Sequence, residues 1–555
     1  MHFRSGVADA SRVKYAGCTA GVRLFPEKRS AGVIQKMARV FSAALLSARG
    51  FSPICSARMT APAAQFQEDS TRVAHDDEHR RRIQGALGKY YVARDRQVGR
   101  YQDWNAARQA AGEIKWEAVN HLDKYLEEFA TKLEARGGKV FWASNSVEAR
   151  EYIVNLCREK KARCIVKSKA MTAEEIHLNP ALEKEGYEVV ESDLGEYIVQ
   201  LRKEAPYHFV FPAMHLSRGE IKELFDREIG NVPSDSPEDL TMVARRVMRK
   251  KYCDADIGIS GANFAIAETG MISITENEGN ARLTTSLPKV HIAVMGIEKV
   301  LPRFEDLALF LPLLGTAGAG QAMTCYNSMI GGPRQPGECD GPEEFHVVLL
   351  DNHRTRLLAD PEQRDALHCI RCGACLNVCP IFKNVGGHSY GTTYQGPIGS
   401  VITPHFRGLQ DWKHLSGASS LCGACTSACP VKIDIHHHLL HNRRNAAKQK
   451  PRWWEALAFR AAGFVLNRPR LFAALGRLGK IGQKLHPLIE GSLLDPARAW
   501  TGTRDTPQIA PLSFRDYWAM RASRSGDTPV ADPRSREAPD CPGVQGDKSV
   551  APPWR

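Results

Sequence analysis

The sequence predicts an α/β domain with a parallel sheet, followed by a domain organised by two runs of cysteine. Three observations carry that prediction. Helical periods and short apolar strands alternate through roughly residues 122–274, the pattern of successive βαβ units. Cys369, Cys372, Cys375 and Cys379 are then spaced C-x2-C-x2-C-x3-C-P, and Cys422, Cys425 and Cys429 repeat most of that run about forty residues later. Finally, 43% apolar and 25% charged residues in a chain of 555 allow sizeable cores, while no apolar run reaches the roughly eighteen residues needed to cross a bilayer.

The chain turns helical from about Asp76. Leu122, Tyr125, Leu126, Phe129 and Leu133 form an apolar stripe at i, i+3, i+4, i+7 and i+11, the buried face of one helix, which Gly137-Gly138 stops. Residues 139–143 read as a buried strand, Asn145 or Ser146 caps a helix to about Lys160, and residues 164–166 form the next strand. The alternation continues through strands at 187–191 and 209–211 and helices at 218–228 and 237–252.

Residues 256–274 hold strand-like stretches separated by turn glycines, with one carboxylate, Glu268, among apolar neighbours. Glu268 is the candidate catalytic residue of this domain; the alternative is a structural partner for Arg282 or for a backbone amide. The polar loop of residues 275–282 follows at a strand end, where open α/β sheets bind ligands, and is the pocket candidate. Lys167, Lys169 and His215 also lie at strand ends and read as solvated loop residues. The glycine cluster at 314–321 resembles a phosphate-cradling loop, but no Gly-Lys-Ser/Thr follows, and a tight turn explains it equally well.

The first cysteine run is the one that wraps a [4Fe-4S] cluster: three thiolates three residues apart converge on one cube, and the fourth, turned away by Pro380, points at another. Exchange of ligands between the runs then gives two [4Fe-4S] clusters, the first held by Cys369, Cys372, Cys375 and Cys429 and the second by Cys379, Cys422 and Cys425. Counting back from Cys429 by the same spacing reaches Ser419, so the second cluster has an open corner, filled by the Ser419 oxygen, another residue, solvent or nothing. Disulfides are disfavoured, because residues three apart in a Gly-Ala loop rarely meet disulfide geometry. Zinc sites show two isolated C-x-x-C pairs rather than a triple followed by Cys-Pro. The remaining cysteines show no ligand spacing and read as core or incidental thiols.

The formal charge of +13 is concentrated at two places: residues 1–58 carry +8 and residues 441–485 carry +10, leaving the rest slightly acidic. No basic face with interleaved aromatics appears, which argues against nucleic acid as a partner. The first stretch reads either as a targeting peptide or, given its weak apolar run, as an overextended start with Met37 or Met59 as initiator. Two candidate helices at 452–466 and 471–485, broken at Pro469, make a basic amphipathic segment that either packs over the cluster domain or touches a membrane or partner. The last thirty or so residues are rich in Pro, Arg, Asp and Gly and read as a disordered tail.

Together, Glu268-Thr269-Gly270, Asn277-Glu278-Gly279-Asn280, Gly332-Pro333-Arg334, Asp351-Asn352 and the two cysteine runs through Cys429-Pro430-Val431-Lys432-Ile433-Asp434 are recognisable. Over roughly residues 75–520 the chain resembles the lactate-utilisation protein B family, the iron-sulfur subunit of the bacterial L-lactate oxidation complex. The resemblance implies a LUD domain similar to the CoA-transferase and sugar-phosphate-isomerase folds, followed by an α-helical ferredoxin domain. The domains then run 1–74 (basic extension), 75–350 (LUD-type α/β), 351–445 (two-cluster ferredoxin type), 446–522 (helical segment) and 523–555 (tail). It also implies the same pairing of cysteines between the clusters, and the family looks similar at Ser419.

The expected function is electron transfer: a partner subunit oxidises L-lactate to pyruvate and the clusters pass electrons to a quinone or another carrier. No flavin or nicotinamide fingerprint is present, so the chain is not expected to oxidise lactate alone. The expected location is cytoplasmic, with peripheral contact at the inner face of the membrane through 452–485 as the variant. The alternatives are an α/β enzyme acting on a carboxylate or acyl substrate with Glu268, and a redox sensor built on the three-cysteine cluster.

Overall fold

Side chains that cap their own helices and apolar runs that need cover on both faces build the first unit of the chain. In the computed structural model, which describes residues 62–451, 453–486 and 509–524, the strands in chain order are β1 (Lys139–Ala143), β2 (Cys164–Lys167), β3 (Glu188–Glu191), β4 (Ile257–Gly261), β5 (Phe264–Ile266), β6 (Met271–Glu276), β7 (Val290–Gly296), β8 (Val300–Leu301), β9 (Tyr326–Ile330) and β10 (Glu344–Leu350). Six of them form a parallel sheet in the order β1-β10-β7-β4-β2-β3. The others form a smaller mixed sheet, β8-β5-β6-β9. β2 and β7 are buried along their whole length, as strands with helices on both faces must be.

The helices start where the sequence places stop and start signals. Asn145 accepts the Val147 and Glu148 amides at the head of helix Ser146–Glu159. Ser217 and Glu220 close a reciprocal capping box on helix Arg218–Glu228. One glycine is required by close packing: a Cβ on Gly258 of β4 would stand 1.9 Å from the Thr284 carbonyl oxygen of helix Asn280–Ser286. The expected stripe on Leu122–Glu134 is buried, with Phe129 and Leu133 fully inaccessible.

Several expectations are corrected. Residues 209–211 form no strand; the segment turns back on itself through the Tyr207 amide and the Pro212 carbonyl and lies against the first cysteine run. The glycine cluster is neither a phosphate loop nor a surface turn but the last turns of helix Leu307–Ala319, ended by left-handed Gly320. Lys167 is not solvated: it is fully buried between Glu174 (2.9 Å) and Glu191 (2.7 Å). His215 is likewise buried, against Glu204 at 3.0 Å. Residues 62–74, assigned from sequence to the extension, form helix Pro62–Ala74, whose Phe66 packs edge-on against Tyr390. The remainder of the extension and the tail from 525 lie outside the described residues.

The helices Asp77–Val98 and Trp104–Asn120, strands β5 and β8, helix Leu307–Ala319 and the cysteine-bearing helices share one apolar core, in which Ile83, Leu87, Phe264, Phe310, Leu376 and Val431 are all buried. The second unit, from Pro451, contains helices Trp453–Leu466, Pro469–Leu485 and Phe514–Arg524 among its described residues. Pro469 opens the middle helix at its first turn, where its missing N–H costs nothing. Among the described residues no helix is long and apolar enough to cross a membrane.

One buried titratable group sets an acid limit on the sheet. His291 of β7 stacks on Phe345 with ring centres 4.7 Å apart and bonds Ser260 at 2.7 Å, and burial pushes its pKa down to about 3. The unfolded chain binds this proton near pH 6.5 and the folded chain does not, so stability is complete above 6.5 and falls as pH drops towards 3. At pH 5 the loss from this residue is about 2 kcal/mol. His291→Gln is expected to flatten the decline in urea midpoint between pH 7.5 and 5 relative to wild type.

Candidate metal centre

The two cysteine runs fold alike from Cys369 to Cys379 and from Ser419 to Cys429. Arg371 and Leu421 both take positive φ (60° and 55°), Gly373 and Gly423 follow at 80° and 79°, and short helices Ala374–Val378 and Ala424–Ala428 come next. The local hydrogen bonds also match. Arg371 N–H donates to Cys369 Sγ at 3.4 Å, and Leu421 N–H donates to Ser419 Oγ at 3.1 Å. Beyond the last cysteine the runs diverge: Phe382 N–H, three residues on, donates to Cys379 Sγ at 3.5 Å, whereas Ile433 N–H, four residues on, donates to Cys429 Sγ at 3.4 Å. Ser419 therefore occupies, in the second run, the place that Cys369 occupies in the first.

The folded runs bring all seven cysteines into two adjoining groups. Cys369, Cys372, Cys375 and Cys429 line one small cavity walled by Phe209, Ile370, Ile398, Val431, Ile433 and Ile435. Burial pushes the Cys429 thiol up to about 12 and the Cys372 thiol further, and negative charge on Cys369 would raise both again. Cys379, Cys422 and Cys425 form the other group: burial pushes Cys425 up to about 11, with Cys379 and Cys422 the charged neighbours that add to it. Cys422 is exposed, and the Ala424 amide holds its thiol below the usual range. A dry pocket of thiols is costly to ionise unless a cation joins it, so the donor set suits thiolate-bound iron.

Residues outside the runs fix them in place. Arg108 donates to the Cys429 carbonyl (2.8 Å) and the Thr426 carbonyl (3.1 Å), and Tyr91 donates to the Asn377 carbonyl (2.6 Å). Helix Leu307–Ala319 presses its glycine face onto the first run, where a Cβ on Gly318 would lie 3.0 Å from the Cys372 carbonyl oxygen. The strongest tie is ionic. Glu298, 1% exposed, accepts Arg354 Nε at 2.6 Å and Arg371 Nη2 at 3.1 Å. Arg354 in turn grips Glu175 with both terminal nitrogens (2.9 and 2.7 Å). Burial alone would raise the Glu298 carboxyl, but Arg354 and Arg371 carry it down to about 2.

Glu268 stands apart from this assembly. It is exposed in the turn between β5 and β6, and its Oε2 accepts the Phe304 amide at 2.7 Å, the backbone-partner alternative of the sequence reading. Arg282 instead stacks on Tyr326, 4.7 Å from the ring centre. The 275–282 loop does line a cavity of about 340 Å³, reached from the other side by Arg371 and Cys372. Sequence reasoning missed Arg108, Glu298, Lys299, Arg354 and Arg371. Only Arg371 carried a signal, its position inside the cysteine run.

An α/β domain whose sheet end clasps a two-run cysteine domain defines a LUD protein fused to an iron-sulfur ferredoxin-type domain. The LUD domain family matches residues 126–350, and the 4Fe-4S dicluster domain family matches residues 365–433. The chain is 44% identical over 433 residues to lactate utilization protein B of Shouchella clausii, covering 77% of this chain and 90% of that one. It is 42% identical to the Bacillus velezensis protein of that name (83% and 96% covered) and 43% identical to the Bacillus subtilis one (77% and 89%). The chain belongs to the lactate utilization protein B family. Among solved structures, a DUF162 family protein from Deinococcus radiodurans aligns over 41% of this chain and 98% of its own at 14% identity, with a TM-score of 0.24.

Replacing Arg354 with Met would leave Glu175 and Glu298 buried without their shared cation. The expected loss is about 3–5 kcal/mol in unfolding free energy by urea titration, partly recovered when Glu175→Gln is added.

Proposed function

We propose that this protein is an iron-sulfur electron-transfer subunit of an L-lactate oxidation system, carrying two [4Fe-4S] clusters. The single observation that carries the reading is the repeated loop, which gathers seven cysteines into a group of four and a group of three. Cys369, Cys372, Cys375 and Cys429 would hold the first cluster. Cys379, Cys422 and Cys425 would hold the second, with Ser419 Oγ at the fourth corner by its match to Cys369. When bound, such clusters accept and release single electrons.

The chain's own residues tune that chemistry. Amide donors on the sulfurs of Cys369, Cys379 and Cys429 draw electron density away from them, which favours the reduced state. The apolar wall of the first group excludes water, whereas exposed Cys422 puts the second group within reach of a partner. The names of the relatives support lactate as the system served. Oxidation of lactate to pyruvate releases two electrons and two protons, and a separate dehydrogenase subunit would perform it. The acceptor would be a quinone or another carrier, and the second helical unit would be the surface for membrane or partner contact. The domain division is 75–350 for the LUD part and 351–445 for the cluster part, with helix Pro62–Ala74 added to the folded body.

Anaerobic purification followed by iron and sulfide analysis and EPR tests this. Wild type is expected to carry about eight irons, with Cys369→Ser and Cys422→Ser removing different EPR signals. Zinc in place of iron, or the same signal lost in both variants, overturns it. In the complex isolated from cells, L-lactate is expected to reduce the clusters; clusters that stay oxidised with lactate present remove it as the electron source.

A further inference from the structure

The cavity of about 340 Å³ in the LUD domain has a chemistry that electron transfer does not use. It opens just past the C-terminal ends of β2 and β4, at Lys169 and Asn263, where open α/β sheets take their ligands. Its far wall is Arg371 and Cys372 of the first cysteine run, with the glycine face of helix Leu307–Ala319 beside them. The volume falls in the range of small-molecule sites, about 300–1,000 Å³.

Two cations on its lining are left unsatisfied. Lys299 is 8% exposed, and among the described residues its ammonium has no hydrogen-bond or ion-pair partner. Arg371 has a side chain 7% exposed; one arm of its guanidinium holds Glu298, and Nη1 is buried with no acceptor. Nη1 is sealed from the cavity, so Lys299 is the cation that asks for an anion there, and the Arg371 charge beside it adds to the attraction. The three acids of the lining each hold backbone amides: Glu276 accepts the Ala281 and Arg282 amides at 2.7 and 2.9 Å, Glu278 the Leu194 amide at 3.2 Å, and Asp193 the Glu196 amide at 3.0 Å.

We propose that this cavity binds a small organic carboxylate of the 2-hydroxy or 2-oxo acid class, its carboxylate paired with Lys299 in the positive field of Arg371 beside Cys372. The anion-binding part stands on the cavity alone; the choice of acid class rests on the lactate reading above. Lys299 offers a point charge with rotatable donors, and the Arg371 guanidinium behind it adds a second positive charge to the same wall. Asn263 and Glu278 then face the hydroxyl or oxo end. The site would make the first cysteine run sensitive to substrate or product of the oxidation it serves.

The test is calorimetric titration of the anaerobically purified full chain with pyruvate, L-lactate and, for contrast, inorganic phosphate. One site for pyruvate or lactate is expected, with phosphate at least tenfold weaker. Lys299→Met is expected to weaken carboxylate binding at least tenfold with iron content unchanged, and Lys299→Arg to restore it. Because the variant removes a buried charge, electron-nuclear double resonance on wild type with ¹³C-labelled pyruvate gives a second readout, a ¹³C coupling to the reduced iron centre beside Cys372. No binding heat for either acid, phosphate binding as tightly, or unchanged affinity in Lys299→Met overturns the site. Calorimetry reports the cavity whether or not lactate reduces the clusters, so failure of the electron-transfer reading is distinguishable from failure of this one.

Discussion

A buried carboxylate, Glu298, is the joint on which the functional unit depends. One oxygen holds Arg354 at the end of the parallel sheet and the other holds Arg371 inside the first cysteine run. Three charges this deep are tolerable only while all are paired, so the loop has one permitted position relative to the sheet. The cost of Arg371's left-handed backbone is met by the same contacts: its guanidinium lies 4.6 Å from the Tyr394 ring centre, and Tyr394 donates to Glu175. Sheet, cysteine loop and cavity wall are thus parts of a single charge network.

Two loops of nearly the same conformation sit in different surroundings. The first group of thiols lies among isoleucines, valine and phenylalanine, whereas the second includes an exposed cysteine and a serine in the fourth place. Since burial and hydrogen bonds to sulfur both tune iron-sulfur potentials, a repeated backbone motif can serve two unequal centres without any change in loop geometry.

Much of this architecture was legible in the sequence. Cysteine spacing is a local property, and the cap at Asn145 and the apolar stripe from Leu122 to Leu133 are decided within a few residues. What was not legible depends on contacts across hundreds of positions. Residues 209–211 have the apolar composition of a strand, but their environment is a cysteine loop more than 150 residues later, which turns them instead. Lys167 looks like a solvated lysine until Glu174 and Glu191 close over it. Glu268 drew attention as an isolated carboxylate, yet it serves the Phe304 amide, while the unpaired charge sits on Lys299, a residue with no local signature.

The latch from Arg108 to the Cys429 carbonyl joins residues 321 apart. On the ribosome helix Trp104–Asn120 emerges long before its partner exists, and the four thiols of the first group cannot be gathered until residue 429 has been made. Chain elongation thus sets the earliest point at which this latch can form.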